Sequence, residues 1–256
     1  MKRILKVAAV LLLVLVGAIA ALLATTFLGR QPLVDGAEFG DVRIIEDGFS
    51  SIAVMAVGDT QVALIDAGQD EAGTAIKNEL TRRQLTPDMV VAILLTHGHP
   101  DHVGAIRHFP NAEVMALEAE VPLVEGRAGA RGPLPRLFPV RDTGIAVTRA
   151  LRDGEVVMVG DVAVRVYAVP GHTSGSAAYL VRGVLFIGDS ADVASDGRLQ
   201  GSPWLFSDSQ ADNRASLVRL ERRLVADGST VMSIVPSHSG AAAGLTPLID
   251  FARRNE

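Results

Sequence analysis

The stretch Thr96-His97-Gly98-His99-Pro100-Asp101-His102 places three imidazoles and one carboxylate within six residues. It follows Met89–Leu95 (MVVAILL), a continuous apolar run with β-branched residues that predicts a strand buried on both faces. His97 and His99 are two residues apart, so an extended backbone directs both side chains to the same side. This chemistry at a strand-to-loop junction predicts a site for a borderline metal such as zinc.

Three further candidate ligands also follow strand-like runs, and each lies in or beside a turn that contains Gly, Pro or Ser: His172, Asp189 and His238. Loops at the ends of strands are where a layered α/β domain collects its functional groups. His108 lies outside this pattern, on a predicted helix, and we interpret it as a surface residue.

Apolar strand-like runs and amphipathic helical runs alternate along the chain, which predicts an α/β layered domain. The predicted strands include Val42–Ile45, Ser51–Val57, Gln61–Ile65, Asp161–Val169, Ala177–Val181, Val184–Ile187 and Thr230–Val235. The predicted helices are Asp70–Gln84, Asp212–Ala226 and Pro247–Arg254. The stretch Gly126–Asp142 is rich in Gly, Pro and Arg and is interpreted as a long loop.

The N-terminal segment predicts export. Lys2, Arg3 and Lys6 precede 23 residues without charge. As a helix these residues span about 34 Å, enough to cross a hydrocarbon core of roughly 30 Å. The positive-inside rule then predicts a transmembrane signal-anchor at 1–30, a linker at 31–39 and an extracytoplasmic (periplasmic or extracellular) folded domain at 40–256. A cleaved signal peptide, which would give a secreted protein, is the alternative, because 18–24 contains small residues.

Composition excludes several kinds of site. The chain has no cysteine, which rules out a disulfide scaffold, a thiolate nucleophile and a Cys metal ligand. The net charge is −5, and the predicted folded domain contains no basic run. Such a domain is a poor candidate for binding nucleic acid through phosphate neutralisation. The expected partners are therefore a small-molecule substrate and, through the N-terminal helix, a membrane; the oligomeric state is left open.

The histidine cluster resembles the HxHxDH signature of the metallo-β-lactamase superfamily. The later motifs of that family have matches here in the same order: Asp66 in a Leu-Ile-Asp-Ala-Gly turn, Gly171-His172, Gly188-Asp189 and Ser237-His238. The resemblance extends over roughly residues 40 to 250. As a set, these motifs are specific for the superfamily and unspecific for its substrates.

The resemblance implies a four-layer αββα sandwich with two metal sites at one edge, most simply two Zn²⁺ per chain, with Fe or Mn as other possibilities. The implied ligands are His97, His99 and His172 for the first metal and Asp101, His102 and His238 for the second, with Asp189 as the bridge. Asp66 would orient a ligand imidazole through its ring N–H. The implied activity is hydrolysis by a metal-bound hydroxide of an ester, thioester, lactone, β-lactam or phosphodiester. Asp101 would also orient the nucleophile or shuttle a proton.

Departures from better-known members favour one branch. The commonest zinc β-lactamases place a Cys in the second site, and another β-lactamase group lacks the bridging Asp. Asp189 therefore favours the branch of glyoxalase II, lactonases and phosphodiesterases. Only 18 residues follow His238, which is too short for the C-terminal helical region of glyoxalase II. Quorum-quenching lactonases carry a Tyr soon after the bridging Asp, and here Ser190, Ala191 and Asp192 follow it.

Two alternatives lie outside hydrolysis. A mononuclear iron persulfide dioxygenase would bind one iron through His97, His172 and Asp189, although the export segment disfavours it. A non-catalytic metal-binding member would be expected to have lost ligands, and here every ligand position is filled.

Two segments are candidates for contact with substrate. The four arginines of 126–142 would suit an anionic substrate, or else the loop is simply solvated. The stretch Ser202–Phe206, which contains the single Trp, would form an apolar wall or belong to the core.

Overall fold

Two β-sheets pack face to face in the computed structural model, which describes residues 2–256 apart from the side chains of residues 2–5, 8, 19, 23 and 25. Within these residues the first sheet has seven strands in sequential order: Glu38–Phe39 (β1), Val42–Asp47 (β2), Ser50–Val57 (β3), Gln61–Ile65 (β4), Val90–Leu94 (β5), Glu113–Leu117 (β6) and Arg149–Leu151 (β7). The second has six strands in the order β15-β14-β11-β10-β9-β8: Val156–Val159 (β8), Val162–Ala168 (β9), Ala177–Val181 (β10), Val184–Gly188 (β11), Ser233–Pro236 (β14) and Ala242–Ala243 (β15). Ala191–Val193 (β12) and Leu199–Gly201 (β13) form a separate ribbon.

Helices cover the outer faces of both sheets. The described α-helices are Lys2–Phe27 (α1), Thr74–Arg82 (α2), Pro100–Val103 (α3), Val121–Val124 (α4), Gln210–Ala226 (α5) and Thr246–Asn255 (α6). Short 3₁₀ turns occupy Pro87–Met89, Ile106–His108 and Pro135–Leu137. The last of these lies inside the predicted loop 126–142.

Three apolar clusters hold the layers together. Met55 and Leu94 of the first sheet pack with Phe186 of the second in the cluster between the sheets. On the outer face of the first sheet, Ile76 and Leu80 of α2 join a second cluster, and α5 and α6 contribute to a third cluster on the outer face of the second sheet. The predicted α/β fold with αββα layers is confirmed.

Local sequence explains where several elements begin and end. α2 begins at Thr74 and not at the predicted Asp70, because Gly73 has φ +64° and the Asp70 carboxylate accepts hydrogen bonds from the N–H groups of Ala72 and Thr74. Such an Asp-centred turn competes with helix. The predicted hairpin between β10 and β11 turns at Arg182 and Gly183, both with positive φ, as a tight two-residue turn requires.

One edge of the sandwich collects the candidate ligands. β4 pairs with β5, and β11 pairs with β14, both in parallel. Parallel neighbours end at the same edge of a sheet, and their carboxyl ends are followed here by Asp66, His97, Asp189 and His238. The two sheets are joined at this edge by backbone hydrogen bonds, including one from Ala177 N–H to the carbonyl of Thr96. Ligands distant in sequence are thereby brought together.

The N-terminal helix α1 runs as predicted through most of 1–30, and Leu11 and Leu13 on it are 64% and 70% exposed. Among the residues described, no helix was found with the length and apolar character that spanning a membrane requires. The side chains of Lys2 and Arg3, part of the predicted basic flank, lie outside the description. The membrane anchor stays a prediction.

The segment after α1 is attached to the domain from its first residues. Gln31 N–H donates to the carbonyl of Val193, and the carbonyl of Gln31 accepts from Gly240 N–H. Arg30 forms an ion pair with Asp192 at 2.8 Å, and both side chains are largely buried. The first residue of the predicted linker 31–39 is therefore hydrogen-bonded to the folded domain.

Replacing Arg30 with Met is expected to destabilise the folded chain by about 3 kcal/mol near pH 8, because it leaves the buried Asp192 carboxylate without its cation. Burial already raises the pKa of Asp192, and Arg30 opposes that shift. With a folded-state pKa above the unfolded value, the folded chain takes up the proton first, so the deficit shrinks as the pH falls toward 5. The loss of stability is measured at pH 8 and pH 5 by urea unfolding, with Trp204 fluorescence as the signal.

Arg198→Met is the matched control, since its ion pair with Asp196 is exposed on both sides and should contribute little to stability. Adding Asp192→Asn to Arg30→Met should restore much of the loss. Equal stability of Arg30→Met and Arg198→Met at pH 8 would contradict the assignment.

Candidate metal centre

Three buried histidines converge on one point. Nε2 of His172 lies 3.1 Å from Nε2 of His97 and 3.0 Å from Nδ1 of His99. Burial lowers the pKa of His97 and His99 and lowers that of His172 to about 3, so all three rings are neutral at physiological pH. Neutral imidazole nitrogens directed at one another are the donor set that zinc and similar ions prefer. This group can hold a metal ion.

A second group lies beside the first and contains two carboxylates. Nε2 of His238 lies 3.0 Å from Asp189 Oδ2 and 3.2 Å from Asp101 Oδ2, and Nε2 of His102 lies 3.3 Å from Asp189 Oδ1. Although burial opposes it, the neighbouring carboxylates raise the pKa of His102 and raise that of His238 to about 10. These four side chains also form a group that can hold a metal ion.

Asp189 lies between the two groups. Its Oδ2 is 3.5 Å from Nε2 of His172 in the first group and 3.0 Å from Nε2 of His238 in the second. Although burial favours the protonated acid, His238 and His102 hold the pKa of Asp189 far below its usual range. An ionised carboxylate in contact with both groups is arranged as a bridging ligand would be.

Two buried polar atoms of the site lack a partner that a cation could supply. His102 Nε2 and Asp189 Oδ1 are buried and 3.3 Å apart, yet neither has a hydrogen-bond partner among the described residues. Unpaired buried polar atoms are costly unless something completes them. A cation placed among these atoms would satisfy both.

The outer ring nitrogens of four histidines have oxygen partners, which leaves the inner nitrogens directed at the centre. The contacts from Nδ1 are His97 to Thr96 Oγ1 at 3.1 Å, His102 to Asp66 Oδ2 at 2.8 Å, His172 to Ser207 Oγ at 3.1 Å and His238 to the Phe49 carbonyl at 2.8 Å. Asp66 lies beside His102 and also accepts hydrogen bonds from Thr96 N–H and Oγ1–H at 2.7 and 2.8 Å. Asp66 therefore contacts the ring of a candidate ligand, His102, and is not itself in either ligand group.

The residues immediately before Asp189 and His172 must be glycine. Gly188 has φ +52°, and a Cβ there would lie 2.6 Å from Oγ1 of Thr96. Gly171 has φ +137°, and a Cβ there would lie 2.1 Å from the backbone nitrogen of Asn213. The Gly-Asp and Gly-His motifs thus reflect close packing around the site as well as backbone conformation.

Glu120 is a site residue that sequence reasoning missed. Its Oε1 accepts from Gly98 N–H at 2.7 Å, and its Oε2 accepts from Gly175 N–H and Thr173 Oγ1–H, both at 2.9 Å. Burial raises the pKa of Glu120 to about 7. One carboxylate thereby joins the loop of the histidine cluster to the loop of His172. The sequence carries no signal for this, because Glu120 follows Glu118 in an ordinary polar turn.

A cavity of about 630 Å³ opens onto the two groups. It reaches His99, Asp101, Asp189 and His238, and its other walls come from Phe27, Arg30, Phe49, Gln69, Pro100, Leu134, Pro135, Phe138, Pro203 and Phe206. Phe49, also missed from the sequence, stacks on His238 with ring centroids 5.6 Å apart. His108 lies away from the site and contacts the Glu71 carbonyl at 2.9 Å.

Asp66→Asn is expected to weaken metal binding by the second group by about 10- to 100-fold, because the amide cannot hold the His102 ring as the carboxylate does. Competition titrations of Zn²⁺ against a chromophoric chelator measure the loss. Asp70→Asn serves as the control, since that exposed carboxylate accepts hydrogen bonds from Ala72 and Thr74 and belongs to neither ligand group. Identical zinc affinity in the two variants would contradict the role given to Asp66.

Comparisons with known proteins agree with this geometry. The sequence pattern of the metallo-beta-lactamase superfamily matches residues 45–238. The chain is 32% identical over 145 residues to a hydroxyacylglutathione hydrolase of Photobacterium profundum, covering 55% of this chain and 46% of that protein. It is 38% identical over 120 residues to one of Cupriavidus taiwanensis, covering 44% and 41%. The chain thus spans about half the length of the curated relatives it matches.

Solved structures show the same fold. A subclass B3 metallo-beta-lactamase with an active-site glutamic acid superposes with a TM-score of 0.66 at 21% identity, over 91% of this chain and 90% of that one. A metallo-beta-lactamase family protein of Thermus thermophilus gives 0.61 at 24% identity, over 85% and 80%. Because the family pattern covers well over half of the sequence, the chain belongs to the metallo-β-lactamase superfamily.

Proposed function

We propose that the protein is a binuclear metal-dependent hydrolase of a carboxylic ester or thioester. The observation that carries the proposal is the Asp189 carboxylate, which contacts histidines of two separate ligand groups. The proposed ligands are His97, His99 and His172 for one ion, Asp101, His102 and His238 for the other, and Asp189 for both. Two divalent ions, in the first instance Zn²⁺, would supply an activated water and stabilise charge that develops on the carbonyl oxygen.

The similarity to hydroxyacylglutathione hydrolases supports the choice of bond, since those relatives are named for hydrolysis of a glutathione thioester. The resemblance to β-lactamase structures concerns the fold alone. Thioester and ester cleavage is therefore preferred over β-lactam or phosphodiester cleavage.

Asp101 is the residue proposed to move the proton. Its side chain is 20% exposed and lines the cavity, while its Oδ2 lies 3.2 Å from Nε2 of His238. The carboxylate can accept a proton as water adds to the acyl carbon and return it to the leaving oxygen or sulfur. Asp189 and His102 are more deeply buried than Asp101, so they are proposed as ligands only. The Phe49 carbonyl, which accepts from His238 Nδ1–H, keeps that ring turned toward Asp101.

Elemental analysis of the purified full chain is expected to give two divalent ions per chain, and Asp189→Asn should lower that number. Asp101→Ala and His172→Ala should each reduce turnover of thioester or ester at least about 100-fold while circular dichroism shows a folded domain. His108→Ala is the control and should leave turnover unchanged, because its ring lies away from the centre.

Two results would contradict this proposal. One iron per chain would favour the persulfide dioxygenase alternative, with His97, His172 and Asp189 as its ligands. Unchanged turnover in both Asp101→Ala and His172→Ala would refute the assigned site.

We also propose that residues 1–30 export the catalytic domain and hold it at the extracytoplasmic face of a membrane. The support is the basic flank, the 23 uncharged residues and the exposure of apolar side chains along α1. A fusion of residues 1–40 to a reporter that is active only in the cytoplasm should be silent, and a fusion of residues 31–40 should be active. Equal activity of the two fusions would overturn this proposal.

A further inference from the structure

The walls of the cavity away from the two ligand groups are apolar. Phe27 from the end of α1, Phe49 from the turn between β2 and β3, and Phe206 come from three distant parts of the chain. Leu134 and Phe138 come from the long loop, so that loop contributes apolar side chains to the cavity and not its arginines. Phe27 and Phe206 contact each other, with ring centroids 5.9 Å apart.

The cavity offers no free cation to an anionic group. Among the described residues that line it, Arg30 is the one Lys or Arg, and its guanidinium is paired with the buried Asp192. Arg131 of the long loop pairs with Asp208, and Arg127 pairs with Glu125, outside the cavity. Recognition of a carboxylate or phosphate ordinarily uses an available Arg or Lys. The described walls of the cavity therefore supply no unpaired Arg or Lys for a peptide-like anion such as glutathione.

Large exposed apolar side chains adjoin the wall residues in the sequence. Leu28 is 76% exposed, Leu137 72% and Phe138 67%, and Trp204 is 47% exposed beside the wall residues Pro203 and Phe206. Scattered exposed apolar residues are common, but large ones gathered at the mouth of a cavity mark a binding surface. An apolar group bound in the cavity can extend onto these exposed apolar side chains.

We propose that the substrate carries a long unbranched acyl chain, which lies along the wall formed by Phe27, Leu134, Phe138 and Phe206 while its carbonyl carbon sits at the ligand groups. This substrate class rests on the hydrolase function proposed above. The reaction consumes one water: a bond forms from its oxygen to the acyl carbon, the bond to the leaving oxygen or sulfur breaks, and the leaving group takes a proton. The products are a fatty acid and an alcohol or thiol.

A homologous series tests the proposal on the purified full chain with its metals. The substrates are acetyl, butanoyl, hexanoyl and octanoyl thioesters of a small neutral thiol, together with the matching p-nitrophenyl esters, all below their micelle concentrations. The value of kcat/KM should rise with chain length, by up to about four-fold for each added methylene that is buried.

A binding measurement gives a readout that does not need turnover. Trp204 is the single Trp of the chain and follows the wall residue Pro203, so its fluorescence should report an acyl chain bound along the wall. Titration with butanoate, hexanoate, octanoate and decanoate should give a Kd that falls steadily as the chain lengthens.

Point variants locate the chain on the wall. Phe138→Ala and Phe206→Ala should each flatten the dependence of kcat/KM and of Kd on chain length. Met232→Ala is the matched control, since Met232 is 59% exposed and does not line the cavity, and it should keep the slope of the unaltered protein.

The outcomes separate the two proposals. Hydrolysis at equal kcat/KM across the series would overturn the acyl-chain inference and leave the hydrolase intact. No hydrolysis of either series, with fatty acids still bound more tightly as they lengthen, would overturn the proposed reaction and keep the apolar site. A slope lost equally in Phe138→Ala and Met232→Ala would overturn the assignment of the wall.

Discussion

The placement of a single ionised carboxylate, that of Asp189, is the constraint on which the rest of the structure depends. It is buried against His172 on one side and His238 on the other, and it comes directly after a strand of the second sheet. Burying such a charge is costly unless cationic or strongly polar partners surround it. The parallel pairs β4–β5 and β11–β14 bring those partners to the same edge, and the glycine before Asp189 permits the close approach to Thr96.

Many of the candidate ligands at this edge could be predicted from the sequence, because four of them lie close together along the chain. His97, His99, Asp101 and His102 lie within six residues, and their spacing alone indicates a metal site. The order of motifs in the metallo-β-lactamase superfamily indicated the remaining candidate ligands, His172, Asp189 and His238. The layers followed from buried strands such as β5, which is apolar along its whole length because both of its faces are covered.

The parts that the sequence did not reveal depend on contacts between distant loops. Glu120 supports both the His97–His102 loop and the His172 loop, but an isolated Glu in a turn resembles any solvated residue. Phe49 lies against His238 across a separation of 189 residues, and nothing local in its turn indicates an aromatic partner. The start of α2 was misplaced by four residues because a side-chain turn at Asp70 competes with the helix, which an apolar periodicity does not reveal.

Much of the apolar wall of the cavity comes from segments that carry no candidate ligand. Phe27, the loop around Leu134 to Phe138, and the stretch from Pro203 to Phe206 supply no candidate ligand, while the ligand-bearing turns sit at strand ends deep in the sandwich. Side chains of these three segments can therefore change without removing a candidate ligand. In evolutionary terms this arrangement allows substrate preference to drift while the reactive centre is retained, which gives a physical reason why one fold can serve many specificities.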